Sequence, residues 1–132
     1  MKKIIVLTLS ILLLTGCACS KKEEVKEEVE NIVEVNEETV TSEQTIDGIR
    51  FKNVSLVVKD CKTEFRVTLE NTITTVKKIS HLEIKFKDAS DNVIKTVNHY
   101  DFNNLKKGDI QNLSYSFSLD MSNVKKIEYK YE

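Results

Sequence analysis

Nucleophilic catalysis needs an activated serine or cysteine with a base in hydrogen-bond reach, and only His81 and His99 can supply that base in this chain. His81 falls on the polar parity of the alternating run Leu82, Ile84, Phe86, which places it on the solvent face of a strand. His99-Tyr100-Asp101 is the more suggestive cluster, but it follows a strand end and leads into Asn103 and Asn104, the composition of a solvated loop. No His-Glu-x-x-His, Gly-x-Ser-x-Gly or Cys-x-x-Cys motif is present. Asp88, Asp91 and Asn92 offer oxygens within one tight loop, short of the roughly six to eight that calcium takes, and read as a plain hairpin turn. The sequence therefore predicts no enzyme, no catalytic residue, no metal ligand and no cofactor.

The cysteine with a clear chemical setting is Cys17. Lys2 and Lys3 precede an apolar run from Ile4 to Leu14, and Leu14-Thr15-Gly16 leads directly into the cysteine. Eleven residues at ~1.5 Å each span about half of a ~30 Å hydrocarbon core, too short for a permanent spanning helix. The stretch reads as a signal peptide, residues 1–16. Its basic start, short apolar core and Leu-small-small-Cys ending resemble the lipobox of bacterial lipoproteins. That resemblance implies a diacylglyceryl group on the Cys17 thiol, cleavage that makes Cys17 the first mature residue, and an anchor on the outer face of a bacterial cell membrane. Each buried methylene contributes ~0.8 kcal/mol, and two or three acyl chains make attachment stable where one does not. Cys19 is a poor rival, because the residue three before it is Gly16 rather than an aliphatic. For Cys61 two states stay open, a Cys19–Cys61 bridge in an oxidising exterior and a reduced thiol near a turn; the second is preferred because Cys19 sits beside the anchor, and the odd cysteine count invites caution.

Beyond Cys17 the composition changes. Residues 18–44 carry three lysines against nine glutamates, a balance of −6, and residues 45–132 carry fifteen Lys and Arg against twelve Asp and Glu, a balance of +3. The first block, with Cys17, is expected to be an acidic tether (17–44), largely disordered because like charges repel along it and aromatics are absent. Val25, Val29, Ile32 and Val33 have helical spacing, so Lys22 to Glu34 is the competing reading as a partner-binding helix. Neither block has the concentrated basic face of a nucleic-acid binder.

From residue 45 the apolar period becomes two, the mark of half-buried strands. Phe65, Val67 and Leu69 alternate with polar residues, as do Leu82, Ile84 and Phe86, and as do Leu113, Tyr115, Phe117 and Leu119. Further strands are expected over Ile49 to Val58, Val93 to Asn98 and Ile127 to Tyr131, with a bulge near Asn53 where the apolar parity shifts. Turn residues separate the runs at Asp47-Gly48, Asp60-Cys61-Lys62, Asp88 to Asn92 and Lys107-Gly108-Asp109. Six or seven short antiparallel strands over residues 45–132 predict an all-β fold, a small immunoglobulin-like antiparallel β-sandwich.

Asn71 to Asp88, Asn92-Val93-Ile94, Leu105-Lys106-Lys107-Gly108, Phe117 and Val124 to Tyr131 resemble the FxLYD-type immunoglobulin-like domains of bacterial lipoproteins. The pattern is an Asn after one strand, a strand ending in aromatic-x-Asp, a hairpin and a later Leu-x-x-Gly turn. Here the motif reads Ile84-Lys85-Phe86-Lys87-Asp88, with Lys87 where the family has Tyr. The resemblance implies fold and location more than an activity.

The function expected is that of a membrane-anchored cell-surface lipoprotein presenting a non-enzymatic interaction module to envelope proteins or polymers. The alternative is a small-molecule or metal-binding accessory lipoprotein of a transporter or envelope enzyme, which needs a concave pocket. Lys125, Lys126 and Lys130 around the last strand read first as protection of an exposed edge and second as a basic patch for acidic wall polymers. The Ser114, Ser116 and Ser118 stripe is expected to lie against a close-packed neighbour, with a polar ligand surface as the other reading.

Overall fold

Residues 32–132 are described by the computed structural model. The signal peptide, Cys17, Cys19 and residues 18–31 of the expected tether lie outside the described residues. The elements run β1 (Ile32–Glu34), α1 (Glu38–Thr41), β2 (Gln44–Ile46), β3 (Ile49–Lys59), β4 (Lys62–Asn71), β5 (Leu82–Lys87), β6 (Val93–His99), β7 (Ile110–Phe117) and β8 (Lys126–Tyr131). Every strand pair is antiparallel: one sheet has the order β1-β3-β4-β7 with β2 also on β3, and the other has the order β6-β5-β8. The chain changes sheet between β4 and β5, between β6 and β7, and between β7 and β8. This is the expected all-β, immunoglobulin-like sandwich.

The alternating runs explain the core. Phe65, Val67 and Leu69 of β4 and Leu82, Ile84 and Phe86 of β5 are all buried, their polar alternates turned outward except Thr68. The two sheets meet through aromatic contacts, with Phe65 edge-on to Phe86 at 4.9 Å and Phe51 stacked on Tyr129 at 4.1 Å. Full burial of each such side chain contributes ~1.5–3 kcal/mol. The run Leu113 to Leu119 follows the expectation only to Phe117. Leu119 turns outward at 39% exposure, and Met121 takes the buried position instead. Thr63 directs that exit from the strand: its buried hydroxyl donates to the Leu119 carbonyl at 2.6 Å and accepts from the Met121 N–H at 3.1 Å.

Turns sit where backbone chemistry demands them. Asp47-Gly48 and Asp60-Cys61 are two-residue hairpin loops with positive φ at both positions, the geometry whose twist matches the flanking strands. Gly48 sits at φ +83°, which favours glycine, and a Cβ there would also lie 2.7 Å from Ile73 Cδ1, so that the Ile73 side chain would have to shift. The parity shift in β3 is a bulge: Asn53, in left-handed conformation, and Val54 together oppose Val67 between the pairs Lys52↔Thr68 and Ser55↔Arg66.

The largest departure from the sequence reading is at the amino-terminal boundary. Residues 32–44, expected as spacer, are folded onto the sandwich. β1 and β2 form one interrupted strand along the outer edge of β3, with Val35 donating its N–H to Leu56 at 2.9 Å between them. Nine residues, 35–43, span the distance that β3 covers with five, 52–56, and the surplus is wound into α1. Val35 and Val40 are buried in the common core. Of the segment Lys22 to Glu34, Ile32–Glu34 is a strand rather than a helix, and the remainder lies outside the described residues. Docking of this strap also adds four glutamates to the folded unit, so residues 32–132 hold fifteen Lys and Arg against sixteen Asp and Glu rather than a basic excess.

Candidate functional site

The two histidines lie at one end of the sandwich. His99, the last residue of β6, reaches across to the other sheet, where the Tyr115 hydroxyl of β7 is 2.7 Å from its Nδ1. Its Nε2 is 2.9 Å from the carbonyl of Asp101, and Phe102 packs edge-on at 4.7 Å. A carbonyl only accepts, so Nε2 carries the ring proton and Nδ1 accepts from Tyr115. Burial holds the Tyr115 phenol above its ordinary range, which keeps that proton on oxygen. His81 is half-buried on the outward parity of β5, stacked on Tyr100 at 4.7 Å, with Nε2 2.8 Å from Asn98 Oδ1. The ring partners are thus a tyrosine, an asparagine and a backbone carbonyl, which make His99 a pin between the sheets. The sequence paired His99 with its chain neighbours; Tyr115, sixteen residues on, could be found only from the fold.

A second end holds the β5–β6 loop. The Asp88 carboxylate accepts hydrogen bonds from the Ser90 N–H at 2.9 Å, the Asn92 N–H at 3.0 Å and the Asn92 side-chain amide at 3.2 Å. The Asn92 backbone bond above all, with the Asn92 side chain and Ser90 N–H behind it, holds that carboxyl below its usual range. Asp91 faces Lys87 at 3.5 Å and Lys126 at 3.8 Å. The carboxylates are therefore engaged in a turn, as the hairpin reading expected, and among the described residues no group of three metal-ligating side chains gathers. Beside this loop an open groove of about 530 Å³ is lined by Thr39, Ser42, Gln44, Asp91, Lys125 and Lys126. A third of the full lining, Thr39, Ser42 and Gln44, comes from the strap, which is why the sequence did not reveal it.

Two of the three lysines around β8 face carboxylates, Lys125 towards Glu37 and Lys126 towards Asp91 at 3.8 Å. Lys125 bonds Glu37 of the strap at 2.5 Å, and Lys87, close behind β8, bonds Glu128 at 2.5 Å. Strand β8 proves to be a sheet edge, as its lysines suggested. The serine stripe differs from expectation more sharply. Ser114, Ser116 and Ser118 are all exposed, and β7 is the last strand of its sheet, so no close-packed neighbour among the described residues explains them. Ser114 and Ser116 lie opposite Arg66 and Glu64, which bond each other at 3.5 Å.

Asn71, Leu105 and Gly108 hold the loops together. Asn71 is fully buried; its amide donates to the carbonyls of Thr75 and Leu105, each at 2.8 Å, and its Oδ1 accepts from the Ile73 N–H at 3.0 Å. Leu105 is buried and exchanges backbone hydrogen bonds with Lys77, and Gly108 adopts φ +83° while donating to the Asn71 carbonyl at 2.7 Å.

Residues 1–18 match the family model of the prokaryotic membrane lipoprotein lipid attachment site. Neither the curated proteins nor the solved structures contain a match. No helix among the described residues is long and apolar enough to cross a membrane. The chain carries a bacterial lipoprotein signal and is a lipid-anchored membrane protein of the cell surface.

Proposed function

We propose that Cys17 is the lipidated residue and that the sandwich it carries is a non-enzymatic interaction module facing the envelope, built on an FxLYD-type immunoglobulin-like domain. The observation that carries this reading is the lipid attachment signal joined to a domain whose titratable clusters are committed to its own fold. His99 pins the two sheets, Asp88 caps its own turn, and Lys125 holds the strap. Residues 18–31 span at most ~50 Å between lipid and β1. With near-balanced charge on the folded unit, an envelope protein suits this surface better than an anionic polymer. The reading is tested on native membranes. Intact-mass analysis should find a mature chain beginning at Cys17 and carrying diacylglyceryl, and Cys17→Ser should leave the leader uncut and abolish the lipid. An unmodified amino terminus beyond Cys17 would overturn it.

One observation favours the accessory-lipoprotein alternative. The groove beside Asp91 and Lys126 falls within the ~300–1,000 Å³ range of ligand pockets. Native mass spectrometry of the purified chain would show a co-purifying small molecule, lost on Gln44→Ala, if this reading holds.

A further inference from the structure

The sheet edges of this sandwich are not treated alike. The outer side of β3 is covered by β1 and β2. The edge strand β8 carries Lys126, Glu128 and Lys130, and α1 leans on its start through the Thr39 hydroxyl, which donates to the Lys125 carbonyl. The edge strand β6 carries Lys95 at its centre. Strand β7 carries no charge of its own: the 101–103 loop meets Gln111 at its start and Lys95 Nζ lies 5.7 Å from the Phe117 ring at its end, which leaves the stretch between them bare. From Ile110 to Leu119 the chain reads Ile-Gln-Asn-Leu-Ser-Tyr-Ser-Phe-Ser-Leu, ten residues without a charge, a proline or a glycine. Among the described residues nothing pairs with its outer side. Folded proteins blunt exposed edges with charge, proline or bulges, because unpaired N–H and C=O groups recruit another strand. An eight-residue edge, about 27 Å long, free of charged residues of its own is a surface for strand addition.

We infer that the occupant is a second copy of this chain, paired antiparallel β7 to β7 so that the two four-strand paths become one continuous sheet. Rotation that joins two antiparallel edge strands has its axis perpendicular to the sheet, so one residue must face itself. Only such registers keep the inward residues of both copies on one face. Placing Ser114 on the axis centres the neutral stretch. It sets Leu113 against Tyr115 of the other copy, an aliphatic–aromatic pair on the inner face, and Asn112 against Ser116 on the outer face. A charged edge would meet its own like charge in this arrangement, and β7 brings none. Arg66, opposite Ser114 on β4, would lie three strand spacings from its counterpart, ~14 Å, beyond the ~8 Å Debye length at physiological salt. The pairing is small, on the scale of a transient interface. Two chains held in the same membrane plane meet at raised effective concentration, which offsets that weakness. The inference deepens the interaction-module reading, on which it rests for its setting, by naming the partner.

The test uses the full chain in native membranes. Ser114→Cys, oxidised mildly, should give a disulfide dimer at least ten-fold above both the parent chain and Ser90→Cys, whose new thiol lies on an exposed loop remote from β7. Ser114→Lys and Ser116→Lys should each remove chemically crosslinked dimer while leaving the melting temperature within a few degrees of wild type. Dimer yields no higher for Ser114→Cys than for Ser90→Cys would overturn the inference. So would unchanged crosslinking in both lysine variants, or lysine variants that lose a different captured protein with no dimer seen. Lipid on Cys17 is measured on the same samples: a lipidated chain without the dimer ends this inference alone, and a dimer on an unlipidated chain ends the anchor assignment alone.

Discussion

The ring of Tyr129 lies flat on Phe51, centroids 4.1 Å apart and planes within 12°, yet its buried hydroxyl has no hydrogen-bond partner among the described residues. The stacking joins β8 of one sheet to β3 of the other, so the aromatic body is useful where the oxygen is not.

Tyr129→Phe removes a buried polar atom that makes no bond, and should be neutral or stabilising by up to about 1 kcal/mol. Tyr129→Ala, which removes the ring, should cost about 3–5 kcal/mol. Burial also pushes the phenol far above its ordinary range. A raised folded-state pKa means the unfolded chain loses this proton first, so stability falls as pH rises above ~10. Urea midpoints from pH 8 to 11 should decline less steeply for Tyr129→Phe, and parallel curves would contradict the assignment.

Asn71→Ala strands the carbonyls of Thr75 and Leu105 and the Ile73 N–H that its side chain now satisfies. A loss of about 3 kcal/mol is expected, since an unsatisfied buried group costs ~1–3 kcal/mol. For a domain of this size that lowers the melting temperature by more than ~10 °C. A drop under ~4 °C would show that the loops are held by other means.

Acid should loosen the β3–β4 pair. Glu70 is held below its ordinary range first by the Lys52 hydrogen bond, at 2.5 Å, and then by Arg50 at 2.9 Å. A depressed folded-state pKa contributes stability above the unfolded value of 4.5 and loses it as pH falls through the lower folded value. Wild type should exceed Glu70→Gln in urea midpoint at pH 6, with the gap closing below pH 4. A gap that persists unchanged at pH 3 would exclude this charge pairing as its source.

The strap makes a prediction about the domain boundary. Val40→Asp places a carboxylate at a fully buried site and should cost at least ~3 kcal/mol. A chain beginning at residue 45 should melt well below one beginning at residue 32, because it loses Val35 and Val40 and uncovers the outer edge of β3. Equal melting temperatures would show that the strap adds nothing to the fold.

What the sequence determined by itself is what repeats over short range or is read as a linear signal. The export and lipid attachment signal is legible without tertiary structure, because it is a contiguous pattern of residue types. Strands β3 to β8 were legible because a half-buried strand must alternate, and the bulge at Asn53 because a bulge reverses that alternation. Tertiary structure decided the rest. Val35 and Val40 are five residues apart, a spacing with neither helical nor strand period, so nothing local marked residues 32–44 as part of the domain. The His99–Tyr115 pin, the groove beside Lys126 and the isolation of β7 at a sheet edge all depend on which strands become neighbours. That choice is made by burying the two apolar faces against each other, a property of the whole chain that no single segment carries.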